Sequence, residues 1–169
     1  MTVVHVREYL RSFGRADDIL EFAASSATVA LAAAEVGTEP ERIAKTLAVG
    51  DPEDPAKALL IVVAGDTKLH NGSFKRRFGA KPRMLSAEQV EPLTGHPVGG
   101  VCPFANPPGT RVFLDESLRR FEVVYPAAGS PNSAIGLTLA DLEQLSGAQG
   151  WVDITSGWRA DLAPDTSNR

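Results

Sequence analysis

The sequence predicts a mixed α/β domain, and three observations carry that prediction. A continuous apolar run, ALLIVVAG at 58–65, is β-branched in its second half and bounded by DPEDP and GD turn signals, so it reads as a central strand. Helix signals, with capping residues in front and glycines behind, are interspersed with strand-like stretches at irregular spacing. Several of those stretches adjoin through short turns, which favours a mixed sheet over a strict β-α-β repeat. At 169 residues and 43% hydrophobic content, the chain has the size of one domain with one well-buried core.

Taken in order, Val6, Leu10 and Phe13 fall at helical spacing over 3–13, and Gly14 stops that helix. A short strand over 18–22 precedes an alanine-rich helix, capped by Ser26 or Thr28 and ended by Gly37. Thr38 and Glu41 stand three apart as a capping box with Pro40 in the first turn. A short helix is therefore expected to end near Lys45, before strand character over 46–49. After the central strand, a helix over 72–78 carries a basic cluster, and Ser86 with Gln89 forms a second capping box for a helix that closes before Gly95. Strands are expected in TRVFLDESL, in RRFEVVYPAAGS and at the start of SAIGLTLADLEQLSG, where Thr138 and Asp141 mark the last helix start. WVDI is a final short strand. From Thr155 the chain is polar and aperiodic, which predicts a domain over 1–154 and a mostly unstructured tail over 155–169.

Composition excludes several classes. There is no apolar run of 18 residues and no signal-peptide pattern, so no membrane partner is expected and the chain is read as cytoplasmic. The single cysteine, Cys102, excludes an internal disulfide framework and fits a reducing compartment, which makes the sequon Asn71-Gly72-Ser73 a coincidence. A net charge of −4 argues against a general nucleic-acid coat. Between residues 66 and 83, however, Lys68, Lys75, Arg76, Arg77, Lys81 and Arg83 face a single acid. This patch is either a solvated helix face or an anion-binding surface. Walker A, G-x-S-x-G, G-x-G-x-x-G and H-E-x-x-H motifs are all missing. His5, His70 and His96 lie too far apart for helix-spaced ligation and have no carboxylate cluster beside them, so no metal is expected.

Two features remain. The loop GHPVGGVCPFANPPG at 95–109 holds four glycines and four prolines around Cys102, a composition that specifies one shape. It serves either as a structural turn or as a rigid presenter of backbone amides. Cys102 with His96 as base would make a thiol enzyme, sensitive to alkylation, but six residues across prolines give no reason for the two to meet; packing or pocket lining is the alternative. Lys45 reads either as a helix-dipole partner with a solvated head or as a charge placed where the sheet begins. If the glycine loop comes near it, charge and N–H donors together make a site for an anion or a developing oxyanion.

Read together, PERIAKTLAV, GHPVGGVCPF and VFLDESL…VYPAAGS resemble the YbaK/prolyl-tRNA editing domain family over roughly 3–154. The lysine between "RIA" and "TL" is Lys45, the "GxxxGGVxPF" loop runs over 95–104, and the downstream "GS" is Gly129-Ser130. The resemblance implies a curled mixed, largely antiparallel sheet or partial barrel flanked by helices, with no metal and no cofactor. It implies hydrolysis of the ester of a mischarged tRNA, free-standing or beside a synthetase, with a small amino acid such as cysteine, alanine or serine on tRNA of the proline type. It assigns catalysis to Lys45 and the amides of Gly99, Gly100 and Val101. Substrate contacts fall to Thr28, Thr46, Gly95, Cys102, Pro103, Phe104 and Ser130. Lys68, Lys75, Arg76 and Arg77 are then expected to hold acceptor-end phosphates; the partners are tRNA and a synthetase, not DNA. Two departures, Ala27 where many members carry histidine and Gly136 where some carry aspartate, bear on amino-acid choice more than on reaction class. The competing function is a non-catalytic module that binds a tRNA 3′ end or aminoacyl-nucleotide beside a synthetase; ester turnover separates the two.

Overall fold

The computed structural model describes residues 2–23 and 28–159. Its elements run α1 (Thr2–Arg11), β1 (Ile19–Glu21), α2 (Val29–Val36), β2 (Ile43–Asp51), β3 (Asp54–Ala64), β4 (Lys68–Leu69), α3 (Asn71–Phe78), α4 (Ala87–Thr94), β5 (Arg111–Asp115), β6 (Val123–Pro126), β7 (Ser133–Ile135), β8 (Leu137–Thr138), α5 (Leu139–Ser146), β9 (Trp151–Val152) and β10 (Thr155–Ser156). The main sheet has the order β8-β6-β2-β3-β5-β9 and curls into a half-barrel. It is mixed: β2–β3 and β6–β8 are antiparallel, whereas β2–β6, β3–β5 and β5–β9 are parallel. Two small antiparallel pairs, β1–β7 and β4–β10, complete the architecture, so antiparallel ladders carry most of the paired residues.

Both faces of β3 are covered, which is why its sequence is continuously apolar rather than alternating. Ala58, Leu60, Val62 and Ala64 join Val6 and Leu10 of α1 and Cys102 and Phe104 of the glycine loop in one cluster. Leu59, Ile61 and Val63 pack on the other face with Phe74 of α3, Phe113 and Ile154. Helix starts follow the local signals. Thr28 Oγ1 accepts from the Leu31 amide at 3.2 Å, Ser86 and Gln89 close a capping box, and Thr138 Oγ1 accepts from the Asp141 amide at 3.2 Å. The alternative cap, Ser26, lies outside the described residues.

Two expectations are corrected. The helix expected from Thr38 to Lys45 is only a 3-10 turn, Pro40–Arg42, with no side-chain cap. Ile43 instead opens β2, buried against Ala32 and Ala33 of α2 and paired with Tyr125, so long-range pairing overrides the local helix signal. Lys45 therefore stands inside a strand and not at a helix end. The chain also does not lose regular structure at Thr155. Thr155 and Ser156 pair with Leu69 and Lys68, and the buried Asp115 carboxylate accepts from the Ile154 amide at 2.9 Å and the Thr155 hydroxyl at 2.6 Å. Residues 160–169 lie outside the described residues.

Candidate active site

The parallel pairing of β2 with β6 lasts two positions, Ile43 with Tyr125 and Ala44 with Pro126. Beyond them β2 continues along β3, while the chain after β6 runs through Ala127 and Ser130 toward β7. A pocket of about 180 Å³ occupies this opening. Lys45 and Thr46 line it from β2, Gly99 and Val101 from the glycine loop, Thr28 and Val29 from the start of α2, and Ala127 and Ser133 from the far side. The volume is close to that of the roughly 150 Å³ cavity that holds one benzene ring. It is the size of a small side chain or acyl group.

Lys45 Nζ donates to the Thr67 carbonyl at 2.5 Å. Burial pushes its pKa below the ordinary lysine value; Asp66 opposes this and Lys68 adds to it. Thr46 Oγ1, on the same pocket, is buried without a hydrogen-bond partner among the described residues. A buried hydroxyl left this way is set to meet a ligand or water.

The loop is held by more than its glycines and prolines. Asn106 Nδ2 donates to the carbonyls of Thr94 at 2.8 Å and Cys102 at 3.1 Å, and His96 Nε2 lies 2.7 Å from the Phe104 carbonyl. The Gly100 amide donates to the Pro97 carbonyl at 2.9 Å, closing a turn that requires the positive φ of Gly99. Gly100 therefore has its amide already engaged. Those of Gly99 and Val101 donate to no protein acceptor among the described residues. Ser133 fixes the opposite wall: its hydroxyl accepts from the amides of Ala128 and Ser130, both at 3.2 Å, and donates to the Ser130 carbonyl at 3.1 Å.

Of the residues expected at the site, Lys45, Thr46, Thr28, Gly99 and Val101 line the pocket. Gly95 ends α4 with φ 83°, Gly100 lies against Ser130, and Cys102, Pro103 and Phe104 are buried behind the loop. The expectation that Cys102 and His96 do not meet is corrected: Cys102 Sγ lies 3.4 Å from His96 Nε2. The pair is not a nucleophile and base, however. The Phe104 carbonyl can only accept, so Nε2 carries the proton and cannot take one from the thiol. Burial pushes the Cys102 thiol up to about 12 and lowers the His96 pKa, keeping both neutral. Residues that the sequence did not single out, Ser133, Tyr125 and the Thr67 carbonyl, complete the site. The Thr67 contact runs through backbone and leaves no signal in side-chain identity.

Lys75, Arg76 and Arg77 stand exposed on α3, and Lys68 just after Thr67. Arginines 7, 11, 15, 42, 111, 119, 120 and 159 are all ion-paired. None of Lys68, Lys75, Arg76, Arg77, Lys81 and Arg83 has a carboxylate partner among the described residues. Among those residues no helix is long and apolar enough to cross a membrane, and no three metal-ligating side chains gather.

Comparison with known proteins bears on the family and the fold. The Bacillus subtilis (strain 168) protein YwhH, itself uncharacterised, is 44% identical over 158 residues, covering 94% of this chain and 99% of its own. A solved structure of a candidate trans-editing enzyme for prolyl-tRNA synthetase superposes with a TM-score of 0.81 at 31% identity, covering 92% of this chain and 97% of that one. The hypothetical protein APE2540 superposes with a TM-score of 0.78 at 32% identity, covering 90% and 99%. The sequence profile of the aminoacyl-tRNA editing domain matches residues 23–145, and with its half-barrel fold the chain belongs to that family.

Proposed function

We propose that this chain hydrolyses the ester of a mischarged tRNA, releasing a small amino acid such as alanine, cysteine or serine from tRNA of the proline type. The observation that carries the reading is that Lys45 and the two loop residues with undonated amides, Gly99 and Val101, line one small pocket. An aminoacyl ester is already activated, so its hydrolysis needs positioning, water and stabilisation of the developing oxyanion rather than a strong nucleophile. Water oxygen adds to the acyl carbon, and negative charge collects on the carbonyl oxygen. The bond to the ribose oxygen then breaks, and that oxygen takes the proton that water gives up. Lys45 and the two amides are the donors for the transient charge.

The rest of the tRNA lies outside the pocket, where the unneutralised cations of α3 and Lys68 hold acceptor-end phosphates. The proline-type tRNA and the association with a synthetase are supported by the structural neighbour, described as a candidate trans-editing enzyme for prolyl-tRNA synthetase. The test is a deacylation screen with alanyl-, cysteinyl- and seryl-tRNA of the proline type and their correctly charged counterparts. Turnover of one or more mischarged species is expected; binding without turnover on all of them refutes the proposal.

A further inference from the structure

Lys45 is the one charged residue lining the pocket among the described residues, and two oxygen-bearing groups act on its ammonium. The Thr67 carbonyl holds Nζ, while the carboxylate of the preceding residue, Asp66, is near enough to act on the same charge. Asp66 makes no ion pair with Lys45, and Arg120 holds both of its oxygens: Nη1 to Oδ2 at 3.0 Å and Nη2 to Oδ1 at 2.6 Å. Arg120 is itself fixed on three sides. Its Nε donates to the Ser117 carbonyl at 2.9 Å, and its guanidinium lies 4.8 Å from the Phe121 ring centroid and 5.1 Å from that of Trp158. Trp158 Nε1 donates at 2.8 Å to Thr155 Oγ1, the hydroxyl bound to buried Asp115.

We propose that Arg120 is a positioning residue for the reaction: by occupying both oxygens of Asp66 it stops that carboxylate from capturing the Lys45 ammonium. Lys45 stays tied to a neutral carbonyl and keeps its remaining N–H groups for the substrate. A carboxylate released from Arg120 would outcompete the neutral Thr67 carbonyl, because it adds the Coulomb attraction of a full negative charge to the hydrogen bond that either oxygen can accept. An ammonium neutralised in that way gives less to an oxyanion. Lys68, the other charge acting on Lys45, is exposed and leaves the competition unchanged. The inference rests on the reading that Lys45 acts on the ester.

Two measurements on the full chain test it. In Arg120→Ala, kcat on alanyl-tRNA of the proline type should fall at least about tenfold, with KM little changed. The pKa of Lys45 can be read by NMR from ¹³C-methylated lysines, assigned with Lys45→Arg. It should rise by about one unit, the equivalent of a tenfold stabilisation of the ammonium. Adding Asp66→Asn to Arg120→Ala should return both quantities toward the starting values. Wild-type kcat and pKa in Arg120→Ala overturn the inference, and so does a loss that Asp66→Asn fails to restore, since a merely structural arginine would give that result. If Arg120→Ala does not fold, Arg120→Lys frees one Asp66 oxygen and must still raise the Lys45 pKa. The pKa measurement needs no substrate, so it decides on Arg120 even if Lys45 proves dispensable for turnover.

Discussion

The backbone of Gly100 lies against the backbone of Ser130 so closely that a Cβ on Gly100 would stand 2.8 Å from Ser130 Cα and 2.9 Å from its carbonyl carbon. Backbone meets backbone there, so neither side can swing away as a flexible side chain would. The contact joins the loop that presents Gly99 and Val101 to the segment that Ser133 fixes on the far wall of the pocket.

Gly100→Ala should therefore push the two walls apart. Overpacking of this kind costs about 1–3 kcal/mol, and the displacement falls directly on the neighbouring pocket amides. We expect a lowered Tm and a loss of deacylation at temperatures where the variant is still folded. Thermal melting and turnover measured together check this; normal turnover in a folded Gly100→Ala would separate the loop from the chemistry.

The Lys45 substitution should behave in the opposite way with respect to stability. A lysine whose pKa is lowered on folding is less stable charged in the folded state than in the unfolded one. Its charge thus costs stability at pH values below the folded pKa, and the cost fades as pH rises through that value toward the ordinary pKa. Lys45→Met keeps the apolar stem and removes the charge, so Tm at neutral pH should hold or rise while deacylation falls about 10²–10³-fold. In the wild type, activity should decline with rising pH around a value below the ordinary lysine pKa of about 10.4. An unchanged rate in Lys45→Met would remove Lys45 from the mechanism.

How much of this was legible follows from where the determinants sit in the chain. Ser86, Gln89 and Thr138 work within one helical turn, so the sequence alone placed their helix starts, and Thr28 was one of the two caps it offered for α2. Thr38, Glu41 and Pro40 form an equally good local signal, yet Ile43 is claimed by Tyr125 and by α2, both distant in sequence. For the same reason Thr155 looked like the start of a polar tail, although buried Asp115 anchors it. Lys45 and the glycine loop were recognisable as motifs. Their meeting was expected from the family resemblance alone; its place, where β2 and β6 part, was not legible, since that opening depends on a parallel pairing only two residues long.

Lys75→Glu with Arg76→Glu should weaken tRNA binding and flatten its salt dependence. Each phosphate left without its cation takes about 0.7–0.9 from the slope of log K against log salt. Both side chains are exposed, whereas Arg77 stacks on Phe78 and Phe113 and is better left in place. A minimal aminoacyl-adenosine ester should be processed at the wild-type rate. Equal loss on both substrates would mean that α3 supports the pocket rather than docking the tRNA.

Cys102 should be dispensable for chemistry. Its thiol is fully buried, faces a protonated His96 Nε2 and has its pKa pushed up to about 12, so it holds almost no thiolate at neutral pH. Cys102→Ser should keep most turnover, and the native wild type should resist iodoacetamide while remaining active. An acyl-cysteine trapped by mass spectrometry would restore the thiol mechanism.

The pocket lining contains no carboxylate, imidazole or thiol among the described residues, and residues 24–27 are alanines and serines. Among the described residues the pocket thus offers the attacking water no carboxylate, imidazole or thiol as a base, while the vicinal hydroxyl of the terminal ribose is placed by the substrate itself beside the reacting carbon. With the ester on the 3′ oxygen, that 2′-hydroxyl can accept from the incoming water and donate to the departing oxygen, a proton path that costs no extra binding step. A tRNA ending in 2′-deoxyadenosine and charged on its 3′ position should therefore bind with near-normal affinity and be cleaved at least about tenfold more slowly. Single-turnover rates against an equally charged ribo substrate make the comparison independent of product release. Full-speed cleavage of the deoxy substrate would assign water activation to the protein and direct attention to Thr46, a lining residue whose buried hydroxyl has no partner among the described residues.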